Sequence, residues 1–377
     1  MIRPSLEDRE AGPDRREPLR RFLRHRTARA AVAAGLVGAL LGAGLVAWST
    51  DALPSARPAP CWDSLSDSAV SGLFGDRRLE VDEQALRRDP GAASLSYGQC
   101  RITSFKGEEA RRQAIVRVHT LDGLYGTDGR RWPAEFLSSR MVALGDGLPG
   151  MVTPSRAWLA LPRSCTGKPG ENSGSTVVDV TLGERDLDMS AQYDEGDRDA
   201  MARVVVDAAN GVIREMGCSG RYRVPAELPA VPDWRDVQVG AFCGVKGLEL
   251  PTAYRDTLRV ERAGGDGGSA RVCETGRSAA RVRLLSVVDP GVNGIFSWET
   301  TRGGPRIRGT RGDGTLNPTR GVYRLRCGTE RVVFVVEDLN PHSRQANLVR
   351  DLLPRYVRAE TERIGCGREE VSTTPLR

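Results

Sequence analysis

Eight cysteines and three histidines are the residues of this chain best suited to chemistry, and their spacing limits what that chemistry can be. Cys61, Cys100, Cys165 and Cys218 lie in the first half; Cys243, Cys273, Cys327 and Cys366 lie in the second. Zinc sites draw on CxxC-type knuckles, whereas the nearest two cysteines here, Cys218 and Cys243, are 25 positions apart. The reading is structural disulfides, which need an oxidising compartment. His25 sits in an arginine-rich leader, His119 in the apolar run "AIVRVHTL", and His342 in the turn "NPHSR". There is no HExxH, GxSxG, Walker loop or GxGxxG ahead of a helix. A hydrolase would have to assemble its site from His119 or His342 and dispersed carboxylates. The candidates are Glu108–Glu109, Asp186–Asp188 and Asp194–Glu195, all in polar stretches. The sequence therefore assigns no catalytic residue, no cofactor site and no metal ligand. "GENSGST" (170–176) reads as a hairpin loop, "RGD" (311–313) as a turn, and Trp298 as a loop aromatic open to a partner.

What must position the cysteines is written twice. "PSRAWLALPRSC" (154–165) and "PTRGVYRLRC" (318–327) each lead into the third cysteine of a set of four. The first cysteine opens its half, and the second precedes an apolar strand, "AIVRVHTL" or "ARVRLLSVV". The third precedes another strand, and the fourth ends a helix, "GVIREMGC" or "AETERIGC". This is an internal duplication of supersecondary order. A strand of about eight residues and a returning helix of about seventeen cover a similar length. That brings Cys165 to Cys218 and Cys327 to Cys366, and leaves Cys61–Cys100 and Cys243–Cys273.

The apolar stripe Met201, Val204, Val205, Ala208, Ala209, Val212 predicts a helix over 197–216. Leu348, Val349, Leu352, Leu353, Tyr356 and Val357 predict another over 344–364, with Pro354 kinking or breaking it. Shorter helices are expected over 63–74 and 133–139. Strands followed by a closing helix make an α+β class, an antiparallel sheet with helices on one face. The expected domains are 61–223 and 235–366, joined by a Pro-rich linker over 224–234 and followed by a disordered tail over 367–377.

Residues 30–48 carry no charge and, as a helix, span about 28 Å, close to the hydrocarbon thickness. Nine arginines precede this stretch and only Asp51 and Arg57 closely follow it. The expectation is a signal anchor with residues 1–29 cytoplasmic, a tether over 49–60, and the remainder extracellular. A cleaved signal peptide is the competing reading; no small-residue lipobox precedes Cys61. Gly38 and Gly42 form a GxxxG that allows homodimerisation within the membrane.

The net charge of +6 over 377 residues is concentrated in the leader, which contributes +4, and signs are interspersed elsewhere. That disfavours nucleic acid, which requires a basic patch. Lys106, Lys168 and Lys246 are the only lysines among 55 basic residues, a bias that reads as GC-rich coding. With its arginine-rich leader, its single span and "CWDSL" opening a cysteine-bounded domain, the chain resembles membrane-anchored exported proteins of actinobacteria. More distantly it is similar to the DUF3558-type exported lipoproteins, which share a small cysteine-bounded α/β domain. The resemblance implies an exported location and carries over no catalytic residue. The functional expectation is a non-catalytic binding or accessory module in the cell envelope, engaging a protein, peptide or envelope component. The enzyme built on His119 or His342 is the alternative.

Overall fold

A computed structural model describes residues 58–87, 96–124, 127–167, 173–182, 195–276, 282–340 and 347–373. The leader, the apolar stretch 30–48 with Gly38 and Gly42, and His342 lie outside them. Among the described residues no helix is long and apolar enough to cross a membrane.

Residues Ala59–Arg377 form one compact α+β unit built on two wholly antiparallel sheets. The first contains β1 (Arg78–Glu83), β2 (Ser96–Lys106), β3 (Glu109–Asp122), β4 (Val142–Ala143), β5 (Gly150–Val152), β6 (Arg156–Ala160) and β7 (Ser173–Leu182). The second contains β8 (Arg235–Asp236), β9 (Val260–Gly264), β10 (Ala270–Thr275), β11 (Val282–Val287), β12 (Arg306–Gly309), β13 (Gly312–Leu316), β14 (Arg320–Cys327), β15 (Glu330–Asp338) and β16 (Val371–Ser372). The helices longer than one turn are α1 (Asp67–Phe74), α2 (Thr127–Phe136), α3 (Glu195–Glu215), α4 (Ser297–Arg302) and α5 (Leu348–Arg363), with single helical turns at Pro60–Asp63, Arg163–Thr166 and Pro290–Asn293.

The strand order β1-β2-β3-β7-β6-β5-β4 in the first sheet is matched by β9-β10-β11-β15-β14-β13-β12 in the second, with β8 and β16 added at its edges. The registers match as well. Cys100 faces Val116, Val116 faces Val180 and Val180 faces Ala157. Cys273 faces Leu284, Leu284 faces Val336 and Val336 faces Gly321.

The repeated stretch is a hairpin turn with its own lock. Thr153 Oγ1 accepts from the backbone of Ser155 (3.2 Å) and Arg156 (2.9 Å). Asn317 Oδ1 does the same for Thr319 (3.0 Å) and Arg320 (2.8 Å). Pro154 and Pro318 occupy the following position, where a fixed φ suits a turn. In both turns the next carbonyl, of Ser155 or Thr319, accepts from the end of the neighbouring strand, at Leu182 or Asp338.

Both long helices end alike. Gly217 (φ 69°) and Gly365 (φ 74°) take the left-handed conformation that a glycine adopts without steric cost. The next N–H bonds back five residues, Cys218 to Ile213 and Cys366 to Thr361. Each Gly-Cys pair thus swings a cysteine onto the strand end below. The disulfides are Cys61–Cys100, Cys165–Cys218, Cys243–Cys273 and Cys327–Cys366, two in each half. α5 runs unbroken through Pro354, its first turns held by Leu348, Val349, Leu352 and Leu353 against the sheet. α1 starts four residues later than expected and ends at Phe74 as expected, whereas α2, at Thr127–Phe136, begins and ends earlier than the expected 133–139.

One face of each sheet carries its helix: α3 lies on β6 and β7, α5 on β14 and β15. The other faces pack on each other. Met151, Trp158 and Val177 from the first sheet share a core with Val272, Leu285, Val322, Val333 and Val335 from the second. Trp132 stacks on Phe136 (5.3 Å) and meets Trp158 edge-on (5.2 Å) in that core. Coverage on both faces explains why β7, β11 and β15 are buried at nearly every position rather than at alternate ones.

A chain of alternating charges follows the same seam. Arg262, Glu274, Arg283, Glu337 and Arg320 lie on successive strands β9, β10, β11, β15 and β14, each in ion-pair contact with the next (2.8–3.8 Å). Arg320 continues to Glu299 (3.0 Å), and Glu299 to Arg130 of α2 (2.9 Å). Ser139 of the first half donates to Glu274 (2.7 Å).

Residues 224–234 have no regular structure but are docked. Leu228 and Val231 pack on the first core, and Pro229 accepts from Arg198 (3.0 Å). The expected disordered tail is ordered through residue 373. Fully buried Glu369 accepts from Tyr323 (2.5 Å) and pairs with Arg311 (3.0 Å), and Val371–Ser372 pairs with β12.

Candidate functional site

The residues singled out by type do not converge. His119 Nε2 lies 2.7 Å from Asp179 Oδ2, and Arg117 Nε donates to Asp179 Oδ1 at 2.9 Å. Asp179 is completely buried. Burial pushes its carboxyl up, but the hydrogen bonds and charges of His119 and Arg117 outweigh that and hold it below the usual range. Among the described residues no hydroxyl or further carboxylate completes this pair into a nucleophile–base arrangement. Glu109 is exposed on the β2–β3 turn and pairs with Arg111 (2.9 Å); Asp186, Asp188 and Asp194 lie outside the described residues.

The "RGD" turn is tied down at both ends. Arg311 binds Glu369, and Asp313 pairs with Arg306 (2.5 Å) and Arg324 (3.2 Å). Of "GENSGST", Ser173–Thr176 belong to β7. Trp298 is half-buried, and its backbone N–H reaches Gly123 of the first half (3.1 Å), so it closes the seam. Cys243, Glu261 and Cys273 have metal-like spacing. The two sulfurs are bonded to each other, and Glu261 accepts from the Cys243 N–H (2.5 Å) and pairs with Arg235 (2.9 Å).

What the fold does build is a cleft of about 470 Å³ where the halves meet. The first half contributes the end of β6, the start of β7, Arg163 and Tyr222; the second contributes the turn 289–294 and the β14–β15 hairpin. Its walls approach closely because Gly294 meets β7 and Gly174 of β7 meets the segment 289–294. A Cβ on Gly294 would collide with the Ser173 carbonyl, and one on Gly174 would press on the Gly291 carbonyl (2.7 Å). Asp289 fixes the turn, with Oδ1 accepting from Gly291 N–H and Oδ2 from Ser269, both at 2.7 Å. Asn293 donates to the Arg331 carbonyl (2.7 Å). Tyr222 donates to the Ala160 carbonyl (2.8 Å), and burial pushes its hydroxyl up to about 12, so it stays neutral.

Arg163, Arg326 and Arg331 line this cleft. Arg163 and Arg326 are exposed and, among the described residues, neither has a carboxylate partner. Arg326 stands directly opposite Arg331 in the β14–β15 register. Glu330 is the carboxylate at the mouth that has no internal partner among the described residues. No residue of this cleft is distinguished by a motif; the signal available in the sequence was the repeated stretch itself, since each copy carries an arginine just ahead of its cysteine.

Comparison of the chain with protein-family models, curated proteins and solved structures gives no match.

Proposed function

We propose that this is a membrane-anchored extracytoplasmic binding or accessory protein whose two halves arose by tandem duplication and which engages its ligand in the cleft between them. Four disulfides agree with an oxidising location outside the cytoplasm. The uncharged stretch 30–48 behind an arginine-rich leader supplies the anchor in this reading. Dimerisation through Gly38 and Gly42 belongs to the same reading. Matching strand order, matching registers and two copies of the turn and helix-end locks support duplication. The similarity to actinobacterial exported proteins, and distantly to DUF3558-type lipoproteins, rests on "CWDSL" and the cysteine contexts.

The observation that carries the binding role is the cleft itself: its volume suits a small molecule or the end of a polymer. The alternative hydrolase lacks a nucleophile next to His119 among the described residues. A photo-crosslinking amino acid at Thr329, on the rim, tests the reading in intact cells, with Arg355 on the outer face of α5 as control. A discrete adduct at position 329 and none at 355 is expected. Equal labelling at both positions, or none at 329, would remove the cleft as the working site. Protease added outside should digest the cysteine-bearing unit; its full protection would overturn the topology.

A further inference from the structure

The repeated motif does more than close hairpins. In each copy an arginine stands just ahead of the third cysteine, Arg163 two residues before Cys165 and Arg326 immediately before Cys327. Both arginines open onto the same cleft, one from each half. We propose that this pair is an anion clamp, and that the ligand of the cleft carries phosphate or carboxylate groups gripped from both sides. The inference rests on the binding role proposed above and names its substrate class.

Three observations carry it. The two guanidiniums line the cleft from opposite halves and have no carboxylate partner among the described residues. Each clamp residue is anchored by a neighbouring disulfide, Cys165–Cys218 or Cys327–Cys366. Holding the backbone in place lowers the ordering cost of binding. The hydroxyls of Ser175 and Thr329, which also line the cleft, have no internal partner among the described residues and can donate to anionic oxygens. Asp289 is held in place by two neutral donors, Gly291 N–H and the Ser269 hydroxyl, and keeps its negative charge in the lining. Glu330 also opposes an anion, which makes it a useful probe.

The test uses the full chain in a neutral detergent, titrated by calorimetry with inorganic pyrophosphate and, separately, with digalacturonate. Neutral digalactose is the control, and each titration is made at low and at physiological ionic strength. Saturable binding of at least one anion is expected, weakened about tenfold or more by Arg163→Gln and by Arg326→Gln. That factor corresponds to about 1.4 kcal/mol. Glu330→Gln should tighten it a few-fold, and Arg355→Gln, far from the cleft, should leave it unchanged. Which anion binds assigns the source of the charge. Both clamp arginines are exposed, so an unchanged thermal transition will show that the variants fold. No saturable binding of either anion, or binding indifferent to both clamp substitutions, overturns the clamp. If an adduct still forms at position 329 in cells, only the ligand class falls; if it does not, the binding role falls too.

Discussion

Asp179 shows how His119, a candidate for catalysis in the sequence, becomes structural in the fold. Asp179 occupies the centre of β7 with no exposure, and His119 and Arg117 consume both of its oxygens. Its carboxyl is held below the usual range, so it contributes stability above its unfolded value of about 4 and loses that contribution as pH falls through the folded value. Glu274 behaves with the same sign. Burial raises it, but the Arg283 charge, the Ser139 hydrogen bond and Arg262 together lower it. Chemical denaturation should therefore show a loss of stability in acid, and Asp179→Asn should flatten that slope. At neutral pH the same substitution should cost about 1–3 kcal/mol, toward the lower end because Arg117 is 41 % exposed. An unchanged acid slope in the variant would contradict the assignment. His119 as a chemically capable residue was legible in "AIVRVHTL"; its partner was not, because Asp179 lies 60 positions away and is found only by strand pairing.

At the scale of elements, the two copies of the turn and of the helix end are where the sequence is most informative. Cysteine spacing and the lengths of one strand and one helix were enough to select the pairs seen here, because antiparallel return leaves a helix end little choice of neighbour. Removing Cys165 and Cys218 together should cost about 4 kcal/mol on the chain-entropy account of a loop this long, which closes over 53 residues. Thr153→Ala and Asn317→Ala should each cost about 1 kcal/mol, since each deletes the side-chain acceptor for two turn N–H groups. Equilibrium unfolding of the single variants would check this, and a loss at one turn only would argue that the turns are not equivalent. Pro354 does not end α5: apolar residues before and after it press the helix onto the sheet strongly enough to offset one missing hydrogen bond.

For the whole molecule, strand-rich halves joined by a proline-rich segment suggest two separable bodies, yet their inner faces share Trp132, Trp158, Leu285, Val333 and Val335. The run "VVDV" in β7 carried that information, since a strand with one wet face alternates, but periodicity does not say which partner covers the second face. A shared core predicts one cooperative unfolding transition, and Gly294→Val, which would drive a side chain into the Ser173 carbonyl, should lower it by several degrees and open the cleft. Two well-separated transitions by calorimetry would show the halves folding independently. The central claim, an exported protein stapled twice over in matching halves, is tested most directly by non-reducing peptide mapping of protein taken from isolated membranes. The prediction is four cystines, Cys61–Cys100, Cys165–Cys218, Cys243–Cys273 and Cys327–Cys366, on chains that still carry the arginine-rich leader. Free thiols throughout, or cystines linking one half to the other, would contradict it.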